Sequence, residues 1–402
     1  MTATATPSSR LRGRATGWPG VALVGIAFLV AMLGTTLPTP LYLTYAAELH
    51  FGELTTTIVF ATYAVGVIAA LLAFGHWSDQ LGRRPLLALG LALSAASAVA
   101  FLMPASLPWL YVGRVLSGLS AGVFSGTATA TVIDLAPEDR KGAAGLVAAA
   151  VNMGGLGVGP LLSGTLAELA PDPTHLVFAV DLVLVVIAAI SVLLVAEPVR
   201  RSSRLALAPR GLTVPAEVRG TFVQAAIAGF AGFAVLGLFG SVSPAFLGDL
   251  LHHRSPALTG VVVAVIFTGS VIGQVVSSRL GLRTALPAGC ALLVVALAMV
   301  AVSLPTRSLA LLVVGAAVAG LGQGTSFRAG LGAVSGGVPP EQRGQVTSTY
   351  FVLLYTGISL PVVGEGALAT HAGLVTAGVT FAVVVAALAG LALVLTLRAA
   401  RA

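Results

Sequence analysis

Charge is scarce in this chain of 402 residues: Asp, Glu, Lys and Arg make up 9% of it, against about 25% in a typical soluble domain. Aromatic residues contribute only 6%, and Cys290 is the single cysteine. One cysteine permits no internal disulfide and fits no metal-ligand spacing, so its ordinary reading is a small buried apolar residue. There is no GxxxxGK[ST] phosphate loop, which argues against an ATP-driven pump. No HExxH, Ser/His/Asp or paired-carboxylate grouping stands at useful spacing, which argues against an enzyme. His252-His253 is a loop pair without further ligands, so neither a metal site nor a cofactor is expected.

Apolar surface, by contrast, is abundant. Hydrophobic residues make up 57% of the chain, and the 48 glycines bring the apolar share to roughly two thirds. An interior of this size cannot hide that much from water, so part of it must face a lipid bilayer. A soluble enzyme, a disordered chain and a collagen-like fibre are excluded, and nucleic acid is not an expected partner despite the net charge of +7. The apolar runs are unbroken over about twenty residues, the length that crosses a bilayer as helix and not as barrel strand.

Runs bounded by charge, proline or polar clusters predict twelve membrane helices, six between Trp18 and Ala196 and six between Thr221 and Leu397. The first follows Arg10, Arg12 and Arg14 but is too long for a signal core, and Pro38-Thr39-Pro40 replaces a cleavage site, so it reads as a retained helix. The expected organisation is a tail over 1–17, a bundle over 18–196, a linker over 197–220, a second bundle over 221–397 and a tail over 398–402. An even count places both ends on one side. With those ends cytoplasmic, 17 of the 21 basic residues are cytoplasmic, including Arg200, Arg201, Arg204 and Arg210 of the linker, while only Arg254 and Arg307 lie outside. The positive-inside rule therefore sets the orientation in a plasma (inner) membrane.

The two halves resemble each other at a period of about 200 residues, the mark of a parallel repeat. Val112-Gly113, Gly118-Leu119 and Gly122 recur as Val314-Gly315, Gly320-Leu321 and Gly324. Pro137-Glu138-Asp139-Arg140 recurs as Pro340-Glu341-Gln342-Arg343, and Leu81-Gly82-Arg83-Arg84 is echoed by Leu280-Gly281-Leu282-Arg283. An all-α membrane protein of two pseudo-symmetric six-helix bundles is the expected fold. In such repeats the substrate site lies near the midplane between halves, and rocking alternates its access.

At these residues the chain resembles the major facilitator superfamily over nearly its whole length. Gly75 through Pro85 resembles the family's GxxxDxxGRR loop: glycines permit a tight turn, and Asp79 at a helix end has Arg83 or Arg84 in reach. Gly75, Asp79, Gly82, Arg83 and Arg84 are thus a candidate conformational latch, with a solvated turn as the alternative. Three further motifs are similar to the twelve-helix drug/proton antiporter branch. These are Gly34 through Pro38-Thr39-Pro40, Arg114 with Gly118 and Gly122, and Gly155 through Gly159-Pro160 to Gly164. Ser117 replaces a common glutamine, and the first span lacks the carboxylate that many relatives carry.

Gly155 and Gly159 share one helix face and let another backbone approach, while Pro160 releases backbone groups and bends the helix. Static close packing is the alternative. Arg114 and Asp181 lie about equally deep, roughly 9 Å from the outer end of their spans, which makes them candidate partners for proton coupling or substrate binding. The structural alternative has Arg114 snorkelling outward and Asp181 satisfied within the bundle. Asn152, Gln224, Gln323, Arg328 and Tyr350 are candidate polar groups of the cavity, and Gln274 and Tyr355 join them. Glu365 and His371, near outer ends, are expected at the solvated interface.

The expected function is secondary transport by alternating access, with proton-coupled efflux of small amphipathic or drug-like molecules as the leading reading. A transporter of sugars or other polar metabolites is the alternative on the same scaffold, and a non-transporting membrane sensor or assembly factor is the alternative of another class. The expected partners are a small-molecule substrate, protons and the bilayer, with the chain acting as a monomer.

Overall fold

The computed structural model describes residues 15–74, 77–199 and 212–401. Arg10, Arg12, Arg14, Arg200, Arg201, Arg204, Arg210 and Gly75 lie outside the described residues, as do the side chains of Asp79 and Arg401. Twelve long helices long and apolar enough to cross a membrane occupy the described residues. The first six are α1 (Gly17–Thr36), α2 (Glu53–Phe74), α3 (Arg83–Leu102), α4 (Leu107–Leu135), α5 (Lys141–Leu169) and α6 (Pro173–Leu194). The second six are α7 (Arg219–Ser241), α8 (Pro256–Arg279), α9 (Leu282–Ser303), α10 (Leu309–Gly336), α11 (Pro340–Ala372) and α12 (Leu374–Arg401).

Helix starts follow local chemistry. Ser255 and Ser308 accept hydrogen bonds from the amides of Leu258 and Leu311, capping α8 and α10. Asp172 caps α6 through the His175 amide, with Pro173 in its first turn. His175 Nδ1 also lies 3.0 Å from the Asp172 carboxylate, and this side-chain hydrogen bond holds the Asp172 carboxyl below its usual range. Along α6, Val183, Val186, Ile187, Ile190, Leu193 and Leu194 are at least half exposed, a row suited to lipid and not to water.

The packing repeats as the sequence does. In the first half α4 packs on α2 and α3, α1 on α4, α5 and α6, and α3 on α6; in the second half the same pairs recur six helices later. Gly66 of α2 and Gly118 of α4 approach closely enough that a Cβ on Gly118 would stand 3.1 Å from the Gly66 Cα, and Gly269 and Gly320 repeat the arrangement at 3.0 Å. Two seams join the halves, α5 with α8 and α2 with α11, themselves related by the repeat. The even number of spans puts Ala15 and Arg401 at one end of the bundle, termed here the terminal face, and the opposite end is the far face.

Helical structure does not stop where the first apolar run ends. After α1 a 3-10 turn over Thr39–Leu41 leads into a helix over Tyr42–Leu49. Pro38 and Pro40 fall in the tight turn, where a missing amide costs nothing, and the helix resumes beyond them. The start of the second half shows a counterpart, with Ser243–Ala245 and a π-helical turn over Phe246–Leu250 extending α7.

Candidate functional site

Between the halves lies a pocket of about 50 Å³, room for a few waters. Its walls come from both bundles: Thr35, Thr36, Phe60, Tyr63, Arg114, Ser125, Asn152 and Leu156 from the first, and Phe233, Phe267, Phe327, Phe351 and Tyr355 from the second. The rings form a connected series. Tyr63 meets Tyr355 edge-on at 6.2 Å across the seam, Tyr355 meets Phe233 at 5.8 Å, Phe233 meets Phe327 at 5.6 Å, and Phe327 meets Phe351 at 5.9 Å. Such a lining holds flat apolar groups by stacking and leaves few hydrogen-bonding positions to fix an orientation.

Arg114 is 1% exposed. Its guanidinium donates to the Thr35 carbonyl at 2.6 Å and to the Phe60 carbonyl at 3.2 Å, so it ties α4 to both α1 and α2. It also sits 4.8 Å from the Tyr63 ring centre and 5.4 Å from that of Phe60. Nε has no partner.

Asp181 is equally buried, at 3% exposure, yet the structure does not join it to Arg114. Its two carboxylate oxygens stand 3.2 Å from where a Cβ on Gly34 would be, with the Ser94 hydroxyl beside them. Adjacent residues of α1 thus serve the two groups: Gly34 makes room for Asp181, and Thr35 accepts from Arg114. Both groups meet α1 at adjacent residues, but the direct pair is not formed, because α1 passes between them. Asp181 Oδ1 has no hydrogen-bond partner.

The glycine-proline stretch of α5 serves two neighbours. Gly155 and Gly159 lie against α1, where a Cβ on Gly155 would come within 2.6 Å of the Leu29 carbonyl oxygen. Pro160 has no amide hydrogen to offer Leu156, four residues earlier, and the Thr36 hydroxyl of α1 donates to that carbonyl instead at 3.0 Å. Towards the far face the same helix meets α8. Gly260 lies against the Pro160 carbonyl and Gly164 against that of Pro256, so each seam partner supplies a glycine to the other's backbone. Glu168 completes this end, accepting from the Ser255 hydroxyl at 2.8 Å and from the Ala257 amide at 3.4 Å at the start of α8.

The second seam is closed at the same end. Gly366 of α11 takes the Thr57 side chain of α2. The Thr39 hydroxyl donates to the Gly240 carbonyl at 2.9 Å, linking the extension of α1 to α7.

At the terminal face Gly82 has φ +100° and a Cβ there would meet the Glu197 carboxylate at 2.9 Å, so only glycine fits. Glu197 accepts from the backbone amides of Arg83 at 2.8 Å and Arg84 at 3.0 Å, capping α3. Arg83 pairs with Asp134 at 3.0 Å, and Arg84 donates to the carbonyls of Val192 and Leu193. These bonds tie α3 to the ends of α4 and α6. Within the first half, therefore, the loop's two arginines and its glycine are brought together around Glu197 and Asp134, neither of which the sequence reading had assigned to it.

Among the other polar candidates, Asn152 and Tyr355 line the pocket. Gln323 is buried in the α8–α10 contact, accepting from Ser270 at 2.6 Å, and Tyr350 donates to the Ala225 carbonyl at 3.4 Å between α11 and α7. Neither they nor Gln224 and Arg328 belong to the pocket lining. Glu365 corrects its expectation: it is 3% exposed, and both carboxylate oxygens are buried without a partner near the α2–α11 seam. The aromatic lining escaped sequence reading because single rings in apolar helices look like ordinary core.

Comparison with known proteins agrees with this architecture. A match to the Major Facilitator Superfamily spans residues 24–362. Over 140 residues the chain is 29% identical to multidrug resistance protein 1 of Bacillus subtilis, covering 35% of this chain and 36% of that protein. It is 33% identical over 135 residues to the class D tetracycline resistance protein of Salmonella ordonez, covering 34% and 32%. The chain thus spans about a third of the length of these curated relatives. A bacterial homologue of the human lysosomal transporter Spinster, solved in an inward-facing, unoccupied conformation, superposes with a TM-score of 0.71 over 94% of this chain and 97% of that one, at 17% identity. Twelve membrane helices in two repeated bundles, with a pocket on the seam between them, and a family match across most of the sequence place this chain in the Major Facilitator Superfamily.

Proposed function

We propose that the protein exports small amphipathic compounds in exchange for protons, acting as a monomer in the bacterial plasma membrane. The arginine asymmetry of the sequence supports a cytoplasmic terminal face, which makes the far face external. The observation that carries the reading is the aromatic pocket on the seam between halves, closed beyond it by backbone-to-glycine contacts on α5–α8 and side-chain contacts on α2–α11. The pocket has room for only a few waters, and parting of the halves on the terminal side would enlarge it to accept flat apolar compounds arriving from the cytoplasm or the inner leaflet. Rocking about the two seams then exposes it to the outside. The resistance functions in the names of the curated relatives support the same direction.

Asp181 is the proposed proton carrier. The first span has no carboxylate of its own, and the Asp181 carboxyl fills the space beside Gly34 that a side chain on α1 would otherwise take. An ionised carboxylate with an unpartnered oxygen, buried in the bundle, is costly unless a proton or a donor comes to it. Movement of α1 against α6 changes what that oxygen meets. Arg114 of α4 senses the same movement through the carbonyl of Thr35, one residue along α1 from Gly34. The loop around Gly82, Arg83 and Arg84 is the proposed latch that keeps the first bundle rigid during the movement.

The test is flux in proteoliposomes over a panel of aromatic compounds, with and without an imposed pH gradient. Wild-type flux should follow the gradient, and Asp181→Asn should retain downhill exchange while losing the response to pH. Flux indifferent to pH in the wild type would remove the proton from the account. An unchanged pH response in Asp181→Asn would remove Asp181 alone.

A further inference from the structure

Of the seventeen residues that line the central pocket, Arg114 is the one charged side chain, and no carboxylate is among them. Its positive charge is unneutralised. It donates to two backbone carbonyls and lies over the Tyr63 and Phe60 rings, contacts that stabilise a cation but carry no net charge. The candidate counter-ion of the sequence, Asp181, is turned to the Gly34 side of α1 and is absent from the lining. Nε is buried with no acceptor, so the guanidinium keeps one donor unspent beside the pocket. A buried cation without a counter-ion is costly, and that cost falls when an anion or a strong acceptor enters the same enclosed space. A cation entering there meets repulsion with little water to screen it.

From these observations we infer that the pocket selects flat aromatic compounds carrying a negative charge or a strong acceptor, and discriminates against aromatic cations of the same shape. The inference deepens the transport reading, since it assigns a substrate class to the same pocket. The rings supply affinity that is indifferent to charge, through Tyr63, Phe233, Phe327 and Tyr355. Arg114 supplies the sign. Asn152 is an uncharged member of the same lining, where a carboxylate would add the opposite charge to the pocket.

The experiment measures equilibrium binding to the full-length protein in nanodiscs of zwitterionic lipid, with empty discs subtracted. Three probes share one bicyclic ring system: naphthoate, naphthamide and naphthylmethylammonium. The expected order is naphthoate tightest, naphthamide between, and the ammonium weakest, with the extremes separated by at least about tenfold. Asn152→Asp should collapse that ratio to near one or invert it, and Arg114→Lys should preserve its direction. Arg114→Gln should abolish it, but Arg114 also ties three helices, so Asn152→Asp carries the decision where that variant does not fold. An ammonium probe that binds as tightly as naphthoate, an absence of naphthoate binding, or a ratio unmoved by Asn152→Asp overturns the inference. Because no gradient and no turnover enter the measurement, its failure is separable from that of the transport reading. Export of aromatic cations would sink this inference and leave the exporter standing, whereas anion binding without any flux would leave this inference standing and sink the exporter.

Discussion

Gly260→Ala is the sharpest mechanical perturbation available, because it adds a single methyl group where α8 touches the Pro160 carbonyl of α5. A Cβ there would stand 2.9 Å from the Pro160 carbonyl carbon and closer still to its oxygen, and backbone cannot turn aside as a side chain can. Overpacking of this kind costs about 1–3 kcal/mol. If the α5–α8 contact exists only in the far-closed state, the whole penalty falls on that state, and the population open to the far side rises about 5- to 150-fold. The reporter belongs on the other seam. Thr57 is fully buried beneath Gly366, so Thr57→Cys should react with an impermeant maleimide only when α2 and α11 part. The native Cys290 is buried, which keeps the background low. Gly260→Ala should therefore raise reactivity at Thr57→Cys although the two positions lie on different seams. A rate unchanged from that of Thr57→Cys alone would refute the reasoning, since it would mean that the seams do not open together.

Gly82→Ala should destabilise the first bundle by about 1–3 kcal/mol, because φ +100° disfavours any side chain and its Cβ displaces the Glu197 carboxylate; an unchanged melting temperature in detergent would contradict this. Thr36→Val leaves the Leu156 carbonyl without a donor, at a cost of about 1–3 kcal/mol. Pro160→Ala restores the amide, so the double variant should lose less than the sum of the two single losses, and strict additivity would count against the assigned hydrogen bond. In Glu365→Gln, an uncharged amide replaces a carboxyl that the α2–α11 side of the bundle buries without a partner. Closure should become easier, lowering Thr57→Cys reactivity at neutral pH by at least about threefold; a rise would contradict the assignment.

Span count, repeat and glycine seams were legible in the sequence because each is a one-dimensional property. Apolar length marks a crossing, a four-residue glycine spacing marks a face, and proline marks a freed carbonyl. Gly155, Gly159 and Pro160 could be given a neighbouring backbone in advance, although not its identity as α1 on one side and α8 on the other. What resists such reading is rotation about the helix axis. Arg114 and Asp181 share a depth, but whether they meet depends on what stands between them, and α1 does, through Gly34 and Thr35. Glu365 looked interfacial from its position near a helix end, yet the closed far side of the bundle covers it. Gln323 and Tyr350 looked like cavity groups as polar side chains within spans, while their azimuth turns them into contacts with Ser270 and Ala225. The aromatic pocket is the extreme case. Its rings come from seven residues on separate turns of both halves, and nothing in the linear order distinguishes them from packing.

Paired distance measurements at both faces of one preparation test the rocking of the two halves most directly. Spin labels at Glu48 and His253 span the far face, and labels at Gly142 and Arg279 span the terminal face; all four positions are exposed. Rocking about the α2–α11 and α5–α8 seams requires the two distances to move in opposite senses when pH or an aromatic ligand shifts the population: where the far-face distance is short, the terminal-face distance is long. Distances that lengthen together, or a single fixed distance at each face under all conditions, would contradict the account.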